Sequence, residues 1–346
     1  MMRPELRLDS GVFRSNIAAV QERLGDSALM LVLKDDAYGH GLRWAVETAL
    51  DAGVTTFGSY DVRGGLDVRR IAGGTVTVFA WATSTDAEID EALLHDIELG
   101  VGTIEYLRRI VTRAVVLGVR ARVHLKIDTG LHRNGVRPED WPSAIAEARD
   151  AESAGALSLV GIWSHIAEAS DAEDDEAQAV FLEAVRQAGQ SGPLPGALHL
   201  TASAASWWRP ELRGTVSRIG AFCYGIRSAD GPDLDGVRPA ASLAAPVVRV
   251  EHGEAVVGVG SLDGLPSTLV GMTVGTPAGP RRVSAIDLAT TTVAGWQGMA
   301  VGDDVTIFGA GEQGEETATT LAERIDTVGE EILTRLGPRI RRRVVD

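Results

Sequence analysis

The sequence predicts an α/β protein in which an N-terminal (β/α)8 barrel is followed by a mostly β C-terminal domain. Eight short apolar, β-branched runs alternate with amphipathic helical patterns between residues 29 and 226. After residue 230 this alternation stops, and the chain becomes rich in Val, Thr and Gly. Eight strands with intervening helices are typical of a closed barrel, and an open doubly wound sheet is the alternative.

The strands can be placed one by one along the sequence. They are predicted at residues 29–34, 55–60, 75–81, 97–102, 122–128, 159–165, 197–203 and 215–222. A Gly- and Pro-rich connection, GPDLDGVRPAAS, follows the last of them. We therefore expect a barrel domain at residues 1–230 and a shortened β-rich domain at residues 231–346. A helix around residues 319–335 is expected to close the second domain.

Composition limits the classes of function. The net charge of −15 opposes binding to nucleic acid, because a phosphate backbone requires clustered cations. The single cysteine, Cys223, excludes an intrachain disulfide. No apolar run is long enough for a signal peptide or a membrane span. We expect a cytoplasmic protein without nucleic-acid or membrane partners. The acidic run at residues 168–176 reads as a helix start, with a metal site as the alternative.

Lysine is almost absent from this chain. Lys and Arg together number 33, yet only Lys34 and Lys126 are lysines. Arginine fills most surface roles of lysine, but it stays protonated and forms no imine. The two lysines either remain by chance or remain because their amine chemistry is needed.

Polar side chains occur where the predicted barrel strands end. Lys34 ends the first strand, Lys126 the fifth, His165 the sixth and Ser203 the seventh, and Arg218 lies in the eighth. In (β/α)8 barrels the functional groups lie at the carboxyl ends of the strands, and phosphate binds near the last two. This pattern predicts a functional site at one rim of the barrel.

Several motifs resemble those of one known family. LVLKDDAYGHG around Lys34 and HLKIDTGLHRNGV around Lys126 are similar to the two hallmark segments of the alanine racemases, which are fold-type III pyridoxal-phosphate (PLP) enzymes. HLTASAAS, SRIGAFCYGI and the terminal ILTRLGPRI follow in the same order and spacing. The resemblance covers nearly the whole chain. It implies the barrel and β-domain architecture, PLP as cofactor and an amino acid as substrate.

The resemblance also implies roles for the residues that hold the cofactor. Lys34 would form a Schiff base with PLP and then act as an acid/base on one face of the substrate Cα. Tyr38 and Ser203, with the backbone amides of Gly220 and Ala221, would bind the cofactor phosphate. For Tyr38 and Ser203 the alternative is a role in a turn or a helix cap.

Four further residues match family positions near the cofactor ring and the substrate. Arg218 would hydrogen-bond the pyridine nitrogen, which favours racemisation over decarboxylation; an ordinary rim salt bridge is the alternative. His165 would lie near the ring, or be a core histidine. Arg133 would bind the substrate carboxylate. Lys126 would be carbamylated to orient Arg133, or would pair unmodified with Asp128.

One family feature has no counterpart in the sequence. The resemblance implies a second catalytic base, a tyrosine that reaches from the β domain into the partner's site in a head-to-tail homodimer. Residues 231–346 contain no tyrosine. Ser261 stands where the family usually has another tyrosine, and Ala285 lies near the position of the family's usual methionine. The chain is therefore expected to be a diverged member. Its candidates for a replacement base are His252, Asp263 and Asp287.

These observations lead to one expected function and two alternatives. The expected function is a PLP-dependent amino-acid racemase that interconverts L- and D-enantiomers through Lys34. Without the second base, the chain could instead be a PLP enzyme that works from the Lys34 face only, of the lyase or decarboxylase type. The third possibility is a PLP-binding protein with little turnover.

Overall fold

The computed structural model describes residues 3–345 and separates into two compact units. The barrel unit comprises Val20–Lys34 and Leu50–Gly220. The second unit comprises Met1–Ala19, Asp35–Ala49 and Ala221–Asp346. Among residues 3–345, no helix combines the length and the apolar character that crossing a bilayer requires.

The barrel unit contains eight parallel strands, as predicted. Counting the strand Glu5–Asp9 as β1, they are β2 (Ala28–Val32), β3 (Thr56–Ser59), β4 (Thr77–Ala80), β5 (Glu98–Val101), β6 (Ala121–Lys126), β7 (Leu157–Trp163), β8 (Ala197–His199) and β9 (Val216–Ile219). Their spatial order is β8-β7-β6-β5-β4-β3-β2-β9. The closed barrel is confirmed over the open sheet, because β9 pairs with β2 in parallel and the first and last strands are neighbours.

Side-chain hydrogen bonds join β8 to β9 and close the barrel. The hydroxyl of Thr215 accepts from the Leu198 amide at 2.8 Å and donates to the Gly196 carbonyl at 2.7 Å. The two segments also approach closely at Gly214, where an added Cβ would lie 1.9 Å from the Leu198 carbonyl oxygen. Only glycine fits at that position.

Helices connect the barrel strands and start at the capping residues that the sequence provides. Thr85 caps a helix through a capping box with Glu88, and Ser170 caps the long helix Asp171–Gln190. Residues 171–176 of the acidic run thus form the start of that helix, as predicted, whereas Glu168 precedes the cap. The helices are Ser10–Leu24, Leu42–Asp51, Val62–Ala72, Asp86–Leu94, Ile104–Leu117, Trp141–Ser153, Asp171–Gln190 and Ser203–Trp208.

The second unit contains an eight-stranded sheet, which confirms the mostly β C-terminal domain. Its later strands are β10 (Ala241–Glu251), β11 (Glu254–Val257), β12 (Thr273–Thr276), β13 (Gly279–Ile286), β14 (Thr291–Ala294), β15 (Asp304–Phe308) and β16 (Arg341–Val345). The first strand, β1, lies in this sheet, antiparallel to β10 and parallel to β16. The sequence did not assign β1 to this sheet. The domain boundary at residue 230 stays a prediction.

The helix expected around residues 319–335 is two short helices, Ala318–Glu323 and Gly329–Thr334. Between them Asp326 adopts a positive φ of 56°, which ends the first helix. The second helix begins at Gly329, where an added Cβ would lie 2.7 Å from Ile226. The prediction of one continuous helix is wrong because the chain must turn at this close approach.

The backbone immediately after Lys34 forms a left-handed turn. Asp35, Asp36, Ala37 and Tyr38 all have φ near 54°, and the glycine that follows has φ 78°. Such a conformation costs about 1–2 kcal/mol for each residue that carries a Cβ. The turn therefore requires stabilising contacts from elsewhere in the second unit.

Three side chains stabilise the turn, namely Arg342, His40 and Asp36, and the last of these belongs to the turn itself. Arg342 on β16 donates from Nε to the Gly39 carbonyl at 2.8 Å, and its Nη2 lies 3.4 Å from the Asp36 carboxylate. The buried ring of His40 places Nδ1 3.0 Å from the carbonyl oxygens of Ala37 and Tyr38. Because carbonyls only accept, Nδ1 carries the proton. Burial lowers the pKa of His40 to about 4, so the ring is neutral at pH 7.

We predict that His40 makes the folded state sensitive to acid. The unfolded chain takes up this proton near pH 6.5, but the folded chain does so only near pH 4. Stability should therefore fall as pH drops through this window, by up to about 3 kcal/mol. The measurement is the free energy of unfolding of wild type and H40N at both pH values. In H40N this additional loss of stability on acidification should be absent. H252N, which replaces a histidine in an exposed turn, is the matched control and should keep it. An equal acid dependence in wild type and H40N would contradict the prediction.

Candidate active site

The structure distributes the predicted site residues over both units. Seven of them lie in the barrel unit: Lys34, Lys126, Arg133, His165, Ser203, Arg218 and Gly220. Tyr38 and Ala221 lie in the second unit. Within the barrel unit, Lys126 is the last residue of β6, and Lys34 and His165 each follow a strand by two residues. The carboxyl-end placement predicted for these three residues is therefore observed.

Ser203 does not end a strand as predicted. β8 ends four residues earlier, at His199, and Ser203 is the first residue of the helix Ser203–Trp208. Its hydroxyl accepts a hydrogen bond from the Gly220 amide at 3.2 Å. The structure thus brings these two predicted phosphate-binding residues together.

Arg218 is buried within β9 with a full set of acceptors for its two terminal nitrogens. Nη1 donates to Nδ1 of His199 at 2.8 Å and to the carbonyl of the same residue at 3.0 Å. Nη2 donates to the carbonyls of Ser164 and Leu200 and to Nδ1 of His165 at 3.2 Å. Among residues 3–345 its Nε has no hydrogen-bond acceptor, and Arg218 forms no ion pair, which excludes the rim salt bridge.

Positive charge accumulates at this end of the barrel. Burial, together with the nearby charges of Arg133 and Arg218, lowers the pKa of Lys126 to about 8, although Asp128 opposes this shift. Burial and the surrounding cations, Arg218 first, lower the pKa of His165 to about 3, so its ring is neutral. Burial also lowers the pKa of Arg218 to about 9. Such an excess of cations favours anionic ligands.

Lys126 and Asp128 form no direct ion pair in the part of the chain that the structure describes. The ammonium of Lys126 instead lies 4.7 Å from the ring centre of Trp163, a cation–π distance. Both carboxylate oxygens of Asp128 are engaged by His132, and one of them also accepts from the Gly130 amide. The alternative of a plain Lys126–Asp128 pair therefore has no support in this geometry.

Tyr38 is buried inside the second unit. Its ring packs 5.1 Å from that of Tyr224, and burial raises the pKa of its hydroxyl. A backbone hydrogen bond from Ala221 reaches the same hydroxyl. Two of the predicted phosphate-binding residues, Tyr38 and Ala221, are thus in contact.

The donors and charges of the barrel unit fit PLP. The pyridine nitrogen of PLP is an acceptor that suits the unused Nε–H of Arg218, and its phosphate and phenolic oxygen suit the surplus of cations. Lys34 supplies an amine for the aldehyde. The fit thus rests on the unused donor and on the charge balance.

The three candidates for a replacement base have different surroundings. His252 is exposed in the turn between β10 and β11 and has φ 50°. Asp263 is fully buried, where its carboxylate accepts from the Gly260 amide at 3.0 Å and lies 3.2 Å from Nε of Arg339. The carboxylate of Asp263 therefore stabilises the turn in which it lies. Asp287 is exposed in the turn after β13.

Sequence reasoning missed a set of buried polar groups behind Arg218. They are Glu98 on β5, His124 on β6 and His199 on β8. Both histidines open motifs that carry the resemblance, HLK and HLT, so their position was a signal. Sequence reasoning also missed Glu168, whose charge near Arg218 raises the pKa of the guanidinium and whose own pKa is raised by burial.

Comparisons with known proteins agree over the length of the chain. The model of the alanine racemase N-terminal domain matches residues 8–228, and that of the C-terminal domain matches residues 247–344. An alanine racemase from Thermobifida fusca is 34% identical, covering 98% of this chain and 97% of the relative. One from Beutenbergia cavernae is 35% identical, covering 97% and 96%.

Solved structures give the same result. The alanine racemase of Streptomyces coelicolor A3(2) has a TM-score of 0.92 and 29% identity, covering 99% of this chain and 98% of its own. That of Streptomyces lavendulae, a producer of D-cycloserine, has a TM-score of 0.90 at 29% identity and covers 100% and 98%. The chain therefore belongs to the alanine racemase family, whose members are PLP-dependent isomerases.

Proposed function

We propose that this chain is a PLP-dependent racemase of an amino acid, with alanine as the first substrate to test. The observation that carries the proposal is the cationic end of the barrel, where an amine, Lys34, and a buried guanidinium, Arg218, both follow the family pattern. The names of the relatives support the same reaction.

Lys34 is the residue that we assign to chemistry at Cα. When bound, PLP withdraws electrons from Cα and so makes its proton acidic. Lys34 would hold the cofactor covalently, and once the substrate's amino group had displaced it, the freed Nζ would move the proton on one face of Cα. Arg218 would donate its Nε–H to the ring nitrogen of the bound cofactor, and its positive charge would disfavour protonation of that nitrogen. Weak electron withdrawal suits a short-lived carbanion, which favours racemisation over decarboxylation.

The remaining predicted residues bind and orient. We propose that Tyr38, Ser203 and the amides of Gly220 and Ala221 hold the phosphate. His165, which is neutral, accepts from Arg218 and would lie beside the cofactor ring. Arg133, which is exposed in the loop after β6, binds the substrate carboxylate.

We propose that Lys126 is carbamylated. Carbamylation requires the unprotonated amine, and a pKa of about 8 leaves roughly a tenth of the amines neutral at pH 7. The product is an anion, which would replace the repulsion from Arg133 and Arg218 by attraction. The cation excess around Lys126 supports this modification.

The C-terminal domain gives a specific reason to keep the alternative of a one-faced enzyme. Residues 231–346 contain no tyrosine. β10 ends at residue 251 and β11 starts at residue 254, so a two-residue turn joins them. This turn is too short to contain an additional strand that could carry the tyrosine. We infer a diverged member that lacks the family's tyrosine. A lyase or decarboxylase that uses only the Lys34 face, or a PLP carrier with little turnover, would be consistent with this loss.

We further propose a head-to-tail homodimer in the cytoplasm, with the domain boundary near residue 230. Leu262 and Leu288, which are hydrogen-bonded neighbours through their backbones, are 61% and 66% exposed on the second unit. We propose that this exposed pair forms part of the partner surface. The single cysteine supports the location, and the two matched segments, 8–228 and 247–344, support the boundary.

Incubation with L-alanine in D2O tests the reaction. A racemase should form D-alanine with deuterium at Cα, because both faces exchange. A one-faced enzyme should give deuterium with retained configuration, or a new product, and a carrier should give neither. Chiral chromatography with mass spectrometry distinguishes these results, and K34R is the control without an imine-forming amine. If no common L-amino acid yields its D-isomer, the proposed racemase is wrong.

Borohydride reduction tests the cofactor lysine. The reduced protein should carry a pyridoxyl group on Lys34, because a covalent link to an amine becomes permanent on reduction. Peptide mass spectrometry locates it, and the only other lysine, Lys126, is the internal control. An adduct on Lys126, or none after incubation with PLP, would refute the assignment.

Labelling with ¹³C-bicarbonate tests the modification of Lys126. A carbamate signal should appear in the ¹³C NMR spectrum and should grow from pH 7 to about pH 8.5, because the neutral amine increases through a pKa of about 8. K126R should lack the signal, whereas K34R should keep it. Absence of the signal in wild type at pH 8.5 would show that Lys126 is unmodified.

A further inference from the structure

A continuous line of hydrogen bonds crosses the barrel interior behind Arg218. Nη1 of Arg218 lies 2.8 Å from Nδ1 of His199, and Nε2 of that ring lies 2.9 Å from Nδ1 of His124. Nε2 of His124 lies 2.7 Å from the carboxylate of Glu98. The other oxygen of this carboxylate accepts from Arg122 at the barrel surface. Four strands, β5, β6, β8 and β9, contribute one member each.

The chemistry at one end fixes the direction of every bond. A guanidinium only donates, so Nδ1 of His199 must be an unprotonated acceptor and its proton must be on Nε2. That proton is donated to Nδ1 of His124, so His124 also carries its proton on Nε2. Glu98 then accepts from it as a carboxylate. Two neutral rings with the same tautomer thus join a cation to an anion.

The surroundings exclude water from this line. The ring of Phe79 lies 4.5 Å from that of His124, and Trp163 stacks on His199 at 5.7 Å. Gly161 leaves the space that the His124 ring fills, because a Cβ there would lie 1.9 Å from its Nδ1. Burying a carboxylate and two imidazoles is costly unless every polar atom is paired, and here they are.

We propose that Glu98, His124 and His199 form a relay that positions Arg218, fixing its orientation and balancing its charge so that Nε remains available. The role of Nε toward the cofactor rests on the proposed function. The relay itself rests on the hydrogen bonds described above. Both Nη groups are engaged by the barrel itself, so rotation of the guanidinium would break several buried bonds at once. The three residues are positioning residues.

Other charged groups also face Arg218 and set its response to pH. Glu168 stabilises the cation, and Arg133 opposes it. Lys126 is a further cation nearby, and His165 is neutral. At the far end, burial would raise the pKa of Glu98, but hydrogen bonds from His124 and Arg122 and the charge of Arg122 lower it overall. Loss of the Glu98 charge should therefore make Arg218 easier to deprotonate.

The tautomers can be measured without cofactor or activity. In the tag-free, full-length protein labelled with ¹⁵N-histidine, long-range ¹H–¹⁵N correlation at pH 7 should show His124 and His199 as neutral Nε2–H tautomers. An Nδ1–H tautomer or a doubly protonated ring at either residue would overturn the relay. Because this measurement needs no PLP, it stands even if the racemase proposal fails.

Coupling to Arg218 is tested by E98Q, which keeps the shape of the side chain but removes its charge. In E98Q both rings should keep the Nε2–H tautomer, because Arg218 still only donates, but the Nε2–H proton resonance of His124 should move upfield, because its acceptor has lost its charge. The alkaline limb of kcat/KM should move to lower pH by about one unit, a tenfold change in proton affinity. The matched control is S217A, which removes a buried hydroxyl of β9 that bonds Ser27 outside the relay.

The two variants give a clear decision. The relay is supported if E98Q moves the Nε2–H resonance of His124 and the alkaline limb while S217A moves neither. It is overturned if E98Q leaves both unchanged, or if S217A produces the same shifts. Should E98Q fail to fold, the tautomers of the wild type decide alone.

Discussion

The guanidinium of Arg218 carries a positive charge into the interior of the barrel, and the polar groups around it are arranged to accept its protons. An unpaired buried charge costs several kcal/mol, so each terminal N–H needs an acceptor. Backbone carbonyls at the ends of β7 and β8 and two imidazole nitrogens provide them. This single requirement dictates the tautomers of His165 and His199 and, through them, the buried carboxylate of Glu98.

The same charge shapes the electrostatics of the proposed site. His165 and His199 remain neutral because burial, reinforced by the charge of Arg218, lowers the pKa of each ring. Lys126 loses part of its proton affinity because it is buried near Arg133 and Arg218. The cations exceed the nearby carboxylates, so the barrel unit is prepared for anionic ligands. A phosphate, a substrate carboxylate and a carbamate on Lys126 would each reduce this repulsion. The binding of anionic ligands, the carbamylation of Lys126 and the pKa values of these groups therefore all depend on the same excess of positive charge.

Backbone conformation contributes a second constraint directly after Lys34. Four consecutive residues with a Cβ in the left-handed region cost about 4–8 kcal/mol together. Contacts from Arg342, His40 and Asp36 within the second unit offset this cost. Strained backbone of this kind occurs where a structure must hold a functional group in one position. The lysine that we assign to chemistry thus adjoins this strained segment.

The sequence by itself determined the eight barrel strands, the mostly β C-terminal domain and the positions of Lys34, Lys126 and Arg218, because hydrophobic periodicity and local motifs are encoded over a few residues. It also revealed that residues 231–346 lack a tyrosine. Only the tertiary structure decided that β1 joins the C-terminal sheet, that Ser203 starts a helix and that Glu98, His124 and His199 line up behind Arg218. These features depend on strand register between residues up to 75 positions apart in the relay and more than 300 apart for β1 and β16. Local patterns carry no information about such pairings, because they arise only when the barrel and the sheet close.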